Sequence, residues 1–229
     1  MILKDWEQLP EELQLDEVKP YYEILKKKKL SLILKRIFDV VVSFIMLIIL
    51  LPVFIFLGIA IKIDSKGPVF FRQERITQYG KTFKIFKFRT MVNNAEKLGT
   101  QVTVGNDARI TKVGKFIRAT SIDELPQLVN VLKGDMALIG FRSPLTYHPW
   151  TWDKYTDEQK KMFNVRPGIT GWAQVHGRKT VEWNKRIELN VWYAENVSFL
   201  LDLKILFMTV FKVLTNADNE NVGETVSKD

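Results

Sequence analysis

Asp123 and Glu124 stand side by side just ahead of Pro126, inside the run from Arg118 to Leu128. Their surroundings are basic, with Arg109, Lys112, Lys115 and Arg118 upstream and Arg142 downstream. A carboxylate pair among fixed cations suits phosphate chemistry. One carboxylate can attack phosphorus or hold a metal, while Lys and Arg clamp the phosphate oxygens. Spacing alone does not assign which acid does which. Proline is tolerated in the first turn of a helix, where backbone N–H groups lack partners anyway. A helix beginning near Ile122 to Glu124 and running through Leu125, Leu128, Val129 and Leu132 to Gly134 is therefore expected. Its free N–H groups and positive dipole end would lie beside both acids and could hold a phosphate. The same residues also read as a capping box, Ser121-x-x-Glu124, in which the acid only closes the start of the helix.

The whole chain frames these readings. At 229 residues and 46% hydrophobic, it suffices for one domain with a small appendage. A net charge of +8 points to an anionic partner: nucleic acid, acidic lipid or a phosphorylated substrate. Cysteine is absent, which excludes disulfides and thiolate catalysis. His148 and His176 are the only histidines, so a multi-histidine metal site is not expected.

The longest apolar run excludes much else. From Ile37 to Ile61 the only charge is Asp39, and Val40 to Ile61 is uninterrupted. As one straight helix that stretch reaches about 33 Å, enough for a hydrocarbon core of about 30 Å. Pro52 sits in its middle and removes a backbone hydrogen bond, leaving two arms that are each too short to span. Both flanks are basic: Lys26 to Lys29, Lys35 and Arg36 before the run, and Lys62, Lys66, Arg72 and Arg75 after it. Positive charge marks the cytoplasmic side. A re-entrant hairpin satisfies both flanks, whereas a spanning helix puts one basic set outside. With such a segment present and no nucleic-acid motif in the chain, phosphate chemistry at a membrane fits better than nucleic-acid binding.

The remaining elements must position the acids. Residues 1–30 read as a loosely attached extension, helical in places, without the pattern of a secretory signal. Gly67-Pro68 marks a turn and Val69 to Phe71 a short buried strand. Gln78 to Lys81 reads as a hairpin turn, and Phe83 to Arg89 as a half-buried strand whose Lys84, Lys87 and Arg89 are either solvated or line a phosphate site. Residues 92–107 read as helix then loop. Met136 to Gly140 reads as a short apolar strand delivering Arg142 to its end. A polar, Trp-containing helix is expected over 149–164, a turn and strand over Arg166 to Val175, and helices over Ile187 to Asn196 and Phe199 to Leu214. The last of these suits either a core helix or one lying on a bilayer. Residues 216–229 read as a frayed tail.

Several stretches, in order, carry a resemblance: Lys35-Arg36-Ile37-Phe38-Asp39, Gly67 to Arg75, Lys87 to Met91, Asp107-x-Arg109-Ile110-Thr111, Asp123 to Leu128, Arg166 to Val175, and Trp192-Tyr193. Over about residues 31–214 the chain resembles the bacterial sugar transferases that are monotopic phosphoglycosyl transferases. The resemblance implies transfer of a sugar-1-phosphate from a UDP-sugar to polyprenyl phosphate with release of UMP, an early membrane step in exopolysaccharide or glycoconjugate assembly. It implies Asp123 as nucleophile, Glu124 as a Mg²⁺ ligand, a re-entrant helix broken at Pro52, and Lys35-Arg36 near lipid headgroups. The family pattern Gly-Pro-Arg-Pro is here Gly140-Phe141-Arg142-Ser143-Pro144. The arginine stays while the prolines beside it do not, and His176 stands where many relatives have Asn.

The resulting expectation is an α/β (α+β-like) fold on the cytoplasmic face of the bacterial plasma membrane, with one short sheet, one re-entrant helix and amphipathic surface helices. Its segments are the 1–30 extension, the 31–63 basic flank and membrane helix, the 64–215 catalytic domain and the 216–229 tail. Lys87, Arg89, Arg118, Arg142 and Arg166 are the expected phosphate or substrate ligands. An acidic phospholipid surface is a further expected partner, nucleic acid is not, and the oligomeric state and the sugar stay open. The alternative is a basic membrane-binding protein on the same scaffold without catalysis.

Overall fold

A computed structural model describes residues 3–95, 98, 107–177 and 182–215. The chain mixes helices with two very short sheets rather than one. α1 (Lys19–Lys27) leads into α2 (Lys29–Asp64), a helix of 36 residues. β1 (Phe70–Ile76) and β2 (Thr82–Phe88) form an antiparallel hairpin, pairing Phe71 with Lys87 and Gln73 with Ile85. α3 (Lys112–Ala119), a 3-10 helix (Ile122–Gln127) and α4 (Leu128–Lys133) follow. β3 (Ala137–Ile139) then pairs in parallel with β4 (Gly168–Thr170), and the described chain closes with α6 (Trp172–Val175), α7 (Trp183–Asn196) and α8 (Phe199–Leu214). Between the two strands lies α5 (Asp157–Lys160).

β3 is the centre of the core. All three of its residues are buried, and Leu138 and Ile139 share one cluster with Val131, Phe141, Phe163, Tyr193 and Ile205. Its approach to β4 is backbone against backbone: a Cβ on Gly168 would lie 2.0 Å from the Gly140 nitrogen. Only glycine permits that contact, which explains the glycines bracketing both strands. β2 buries Phe83 and Ile85 on this core, while Phe88 joins Leu57, Ile61 and Ile117 in a second cluster under the far end of α2.

α2 contains the apolar run and continues as one helix through Pro52, where a break was expected. Among the described residues it is the one helix long and apolar enough to cross a membrane, and only 11% of its apolar window is buried. Its middle exposes Phe44, Ile48, Ile49, Leu51, Ile55 and Phe56. Both of its ends are held by the same globular body. At the start, Arg36 donates to the Val131 carbonyl at 2.8 Å. At the end, the Val113 N–H donates to Asp64 at 2.8 Å and Arg89 to the Ser65 carbonyl at 2.6 Å.

Four expectations need correction. The extension is docked, not loose: Leu13, Val18 and Leu25 are fully buried, and the Tyr21 hydroxyl donates to the Ala194 carbonyl at 2.7 Å. Its apolar residues find partners only in three dimensions. The stretch expected as a buried strand, 69–71, is exposed at Phe70 and Phe71, which leave opposite faces of β1, although Phe70 stacks on Phe88 with ring centroids 5.4 Å apart. Residues 149–164 form two 3-10 turns flanking α5 rather than one helix. Thr156 restarts the chain with a complete capping box, and Trp152, Tyr155 and Phe163 pack as one ring cluster whose spacing is not helical. The strand expected through Val175 stops at Thr170, and Trp172 opens a helical turn. Much of the 92–107 reading and all of the 216–229 reading lie outside the described residues.

Candidate active site

Thr111 caps α3 by accepting the Gly114 N–H at 3.0 Å, which puts Arg118 in the last turn. The chain then turns at Ser121, whose φ of 57° lies in the left-handed region. That conformation costs a non-glycine residue on the order of 1 kcal/mol. Asp123 and Glu124 follow in the first turn of the 3-10 helix. The helix is 3-10 up to Gln127 and α only from Leu128, as suits a segment interrupted by Pro126, which has no N–H to donate. The capping-box reading fails: the Ser121 side chain makes no cap bond, and the Glu124 carboxylate turns to a different strand.

That strand is β2. Side chains alternate along it, so Lys87 leaves on the same face as Phe83 and Ile85 but at the strand end. Its Nζ reaches Glu124 Oε1 at 2.8 Å. From a third element, just past β3, Arg142 Nη1 stands 3.8 Å from the same oxygen. The Glu124 side chain is 22% exposed. Burial pushes its carboxyl up, but Lys87 and then Arg142 outweigh burial and hold it at about 2. Glu124 is therefore ionised throughout the physiological range. Arg118 is pulled down by burial, and the Asp123 carboxylate works against this first, Asp107 second. Arg118 thus acts chiefly with Asp123, and Lys87 with Arg142 on Glu124.

The arginine loop does without the flanking prolines. Phe141 is fully buried with its ring 5.3 Å from Phe163, and the Ser143 hydroxyl donates to the Ile76 carbonyl. Arg75 donates to the Ser143 carbonyl and also lowers the Glu124 carboxyl. Arg75 was expected as a membrane flank and as part of the family stretch, not as a site residue; its alternation along β1 is the signal that points to the site.

The other expected ligands lie elsewhere. Arg89 donates to the Ile61, Ser65 and Lys66 carbonyls, closing the C-terminal end of α2. Arg166 donates to the Gly134 carbonyl at 2.9 Å and lines a small cleft with Lys35, Arg36 and Asp39. Burial and then the neighbouring Arg36 lower its pKa. Neither guanidinium joins the group around Glu124. Lys35 does not face headgroups: it is 8% exposed and bonded to Asp202 and the Ile139 carbonyl, because two buried carboxylates lie within its reach. Arg36 caps the end of α4 through the Val131 and Leu132 carbonyls.

For a metal, the described residues hold no group of three or more His, Cys, Asp or Glu. Asp123 and Glu124 offer one or two carboxylates, the number Mg²⁺ takes when substrate phosphates complete its shell. The donor set fits a cation that arrives with a diphosphate.

Lys87→Met tests the electrostatics. Without the lysine, burial of Glu124 is less opposed, so its carboxyl protonates at higher pH. Activity at pH 7 is expected to fall about 10- to 100-fold, and the acid limb of the pH–rate profile to move upward. An unmoved acid limb would separate Lys87 from the charge state of Glu124.

The bacterial sugar transferase family matches residues 30–216 of the chain. An uncharacterized sugar transferase, EpsL, of Bacillus subtilis is 45% identical over 186 residues, covering 81% of this chain and 89% of that protein. The UDP-glucose:undecaprenyl-phosphate glucose-1-phosphate transferase of Escherichia coli is 42% identical over 190 residues, or 80% of this chain and 41% of that one. The undecaprenyl-phosphate galactose phosphotransferase of Salmonella typhimurium is 39% identical over 202 residues, or 82% and 42%. The chain thus spans less than half the length of the latter two. The match embraces α2, the acid pair, Lys87 and Arg142 together, and on that ground the chain belongs to the bacterial sugar transferase family.

Proposed function

We propose that the protein is a phosphoglycosyl transferase, moving a sugar-1-phosphate from a UDP-sugar to polyprenyl phosphate and releasing UMP. The observation that carries this is the convergence of Lys87 and Arg142 on Glu124, next to Asp123 and its own Arg118. Relatives named for the same class of transfer support it. In the first step an Asp123 oxygen attacks the sugar-bearing phosphorus and the P–O–P bridge breaks, so that UMP leaves with the bridging oxygen. In the second, a phosphate oxygen of the polyprenyl phosphate attacks the same phosphorus and the carboxylate departs, leaving a diphosphate-linked sugar. Arg118 lies in the field of the Asp123 carboxylate, while Lys87 and Arg142 offer donors to the phosphoryl oxygens. Glu124 would hold Mg²⁺, which when bound neutralises diphosphate charge.

The site works at the cytoplasmic face of the plasma membrane, with α2 re-entrant. The bonds from both ends of α2 to one globular body support a re-entrant course over a spanning one. α8 lies along the surface, exposing Leu200, Phe207, Phe211 and Leu214 while burying Asp202 and Ile205. Cysteines introduced as Glu7→Cys and Lys66→Cys are expected to label from the same side, and labelling from opposite sides would discard the hairpin.

The deciding assay offers a panel of radiolabelled UDP-sugars with polyprenyl phosphate, with and without chelator. Transfer with equimolar UMP is expected from at least one donor and loss of transfer on chelation. A non-catalytic membrane-binding protein releases no UMP from any donor.

A further inference from the structure

The pair Lys87–Glu124 joins two elements that are distant in the chain, and one buried side chain fastens those elements together. Asn130 lies on α4, which continues the 3-10 helix carrying Glu124, and it is 1% exposed. Its Oδ1 accepts the Phe86 N–H at 2.8 Å, and its Nδ2 donates to the Lys84 carbonyl at 3.0 Å. Nδ2 also donates to Asp135 Oδ2 at 3.1 Å. Lys84 and Phe86 are two residues apart on β2, so their backbone groups point to one edge of that strand. The other edge is occupied by β1. A carboxamide presents a carbonyl and an N–H side by side, as a peptide edge does, and keeps a second N–H for Asp135. Asn130 thus completes the free edge of β2 as a third strand would, from a helix.

The consequence falls on the next residue of the same register. A slip of β2 by one residue moves Lys87 by about 3.3 Å and turns it to the other face. Either change loses the 2.8 Å contact with Glu124. We propose that Asn130 is a positioning residue, which sets the register of β2 against the helix bearing the acid pair and so delivers Lys87 to Glu124. The proposal rests on the reading of that pair as catalytic.

The test uses the full chain in lipid nanodiscs. Asn130→Asp keeps the side-chain shape and the acceptor for Phe86. It replaces the donor with an oxygen facing the Lys84 carbonyl and the Asp135 carboxylate. Its kcat for UMP release is expected to fall about 10- to 100-fold, as a misplacement on the order of 1 Å does, with KM for the UDP-sugar changed less than about threefold. Adding Asp135→Asn restores a donor to the cluster, keeps the variant foldable, and is expected to recover part of the lost kcat. Amide exchange at Lys84 to Phe86 is expected to quicken in Asn130→Asp and to slow again in the double variant. Unchanged kcat per folded molecule with a lowered melting temperature would overturn the proposal and leave Asn130 a purely structural residue. A rise in KM alone would overturn it as well. If the wild type releases no UMP from any donor, the catalytic reading fails, while the exchange data still decide whether Asn130 holds β2.

Discussion

Asp123→Asn is expected to bring UMP release to background, a loss of at least about 10⁴-fold, because an amide cannot serve as the attacking oxygen. The wild-type protein, mixed with its UDP-sugar and no lipid acceptor, is expected to release a single equivalent of UMP. Its mass should rise by one sugar phosphate, and the variant should show neither event. The physical ground is the placement of Asp123. It sits in the first turn of a short helix, within the field of Arg118, beside a Glu124 that is already matched to Lys87 and Arg142. Arg118, Lys87 and Arg142 then supply donors for the phosphoryl oxygens as the carboxylate attacks. A covalent step also lets a soluble and a lipid substrate use one phosphate site in turn. Direct attack by polyprenyl phosphate predicts no adduct and no release without acceptor. Substantial turnover by Asp123→Asn would exclude the covalent route.

Lys35→Met is expected to cost about 3–5 kcal/mol of stability, the penalty for removing one partner of a buried ion pair. Lys35 answers two carboxylates at once: Asp202, to which it is bonded, and Asp39, 3.9 Å away. It also donates to the Ile139 carbonyl at 2.7 Å, while the Tyr193 hydroxyl donates to Asp202 at 2.7 Å. Without the lysine, two acids face each other in the joint between α2, β3 and α8. The expected readout is a lower melting temperature in detergent, largely recovered by adding Asp202→Asn, which removes the stranded charge. A headgroup anchor at this position would behave differently, losing membrane binding with no change in melting. That result would return Lys35 to the lipid surface.

The amino-acid sequence by itself determined a good deal. The apolar run is continuous enough to define α2, and period-two alternation defines β2. The glycine and proline punctuation places the hairpin turn and the ends of β3 and β4, and the ordered motifs are specific enough to identify the family. All of these are local signals, carried by residues within a few positions of each other. What only the tertiary structure decided is which partner each long charged side chain takes. Lys87 finds Glu124 across 37 positions, and Lys35 finds Asp202 across 167. Arg89 belongs to the same basic strand end as Lys87, yet it turns to the carbonyls of α2, whereas Arg142 turns to the acid. The extension looked loose because its buried leucines and tyrosines meet residues far along the chain, Tyr79 in the β1–β2 turn and Ala194 on α7. A flexible cation carries no periodicity that announces its partner. Its choice follows from which carbonyls and carboxylates the packed backbone brings within reach, and that is a property of the assembled fold.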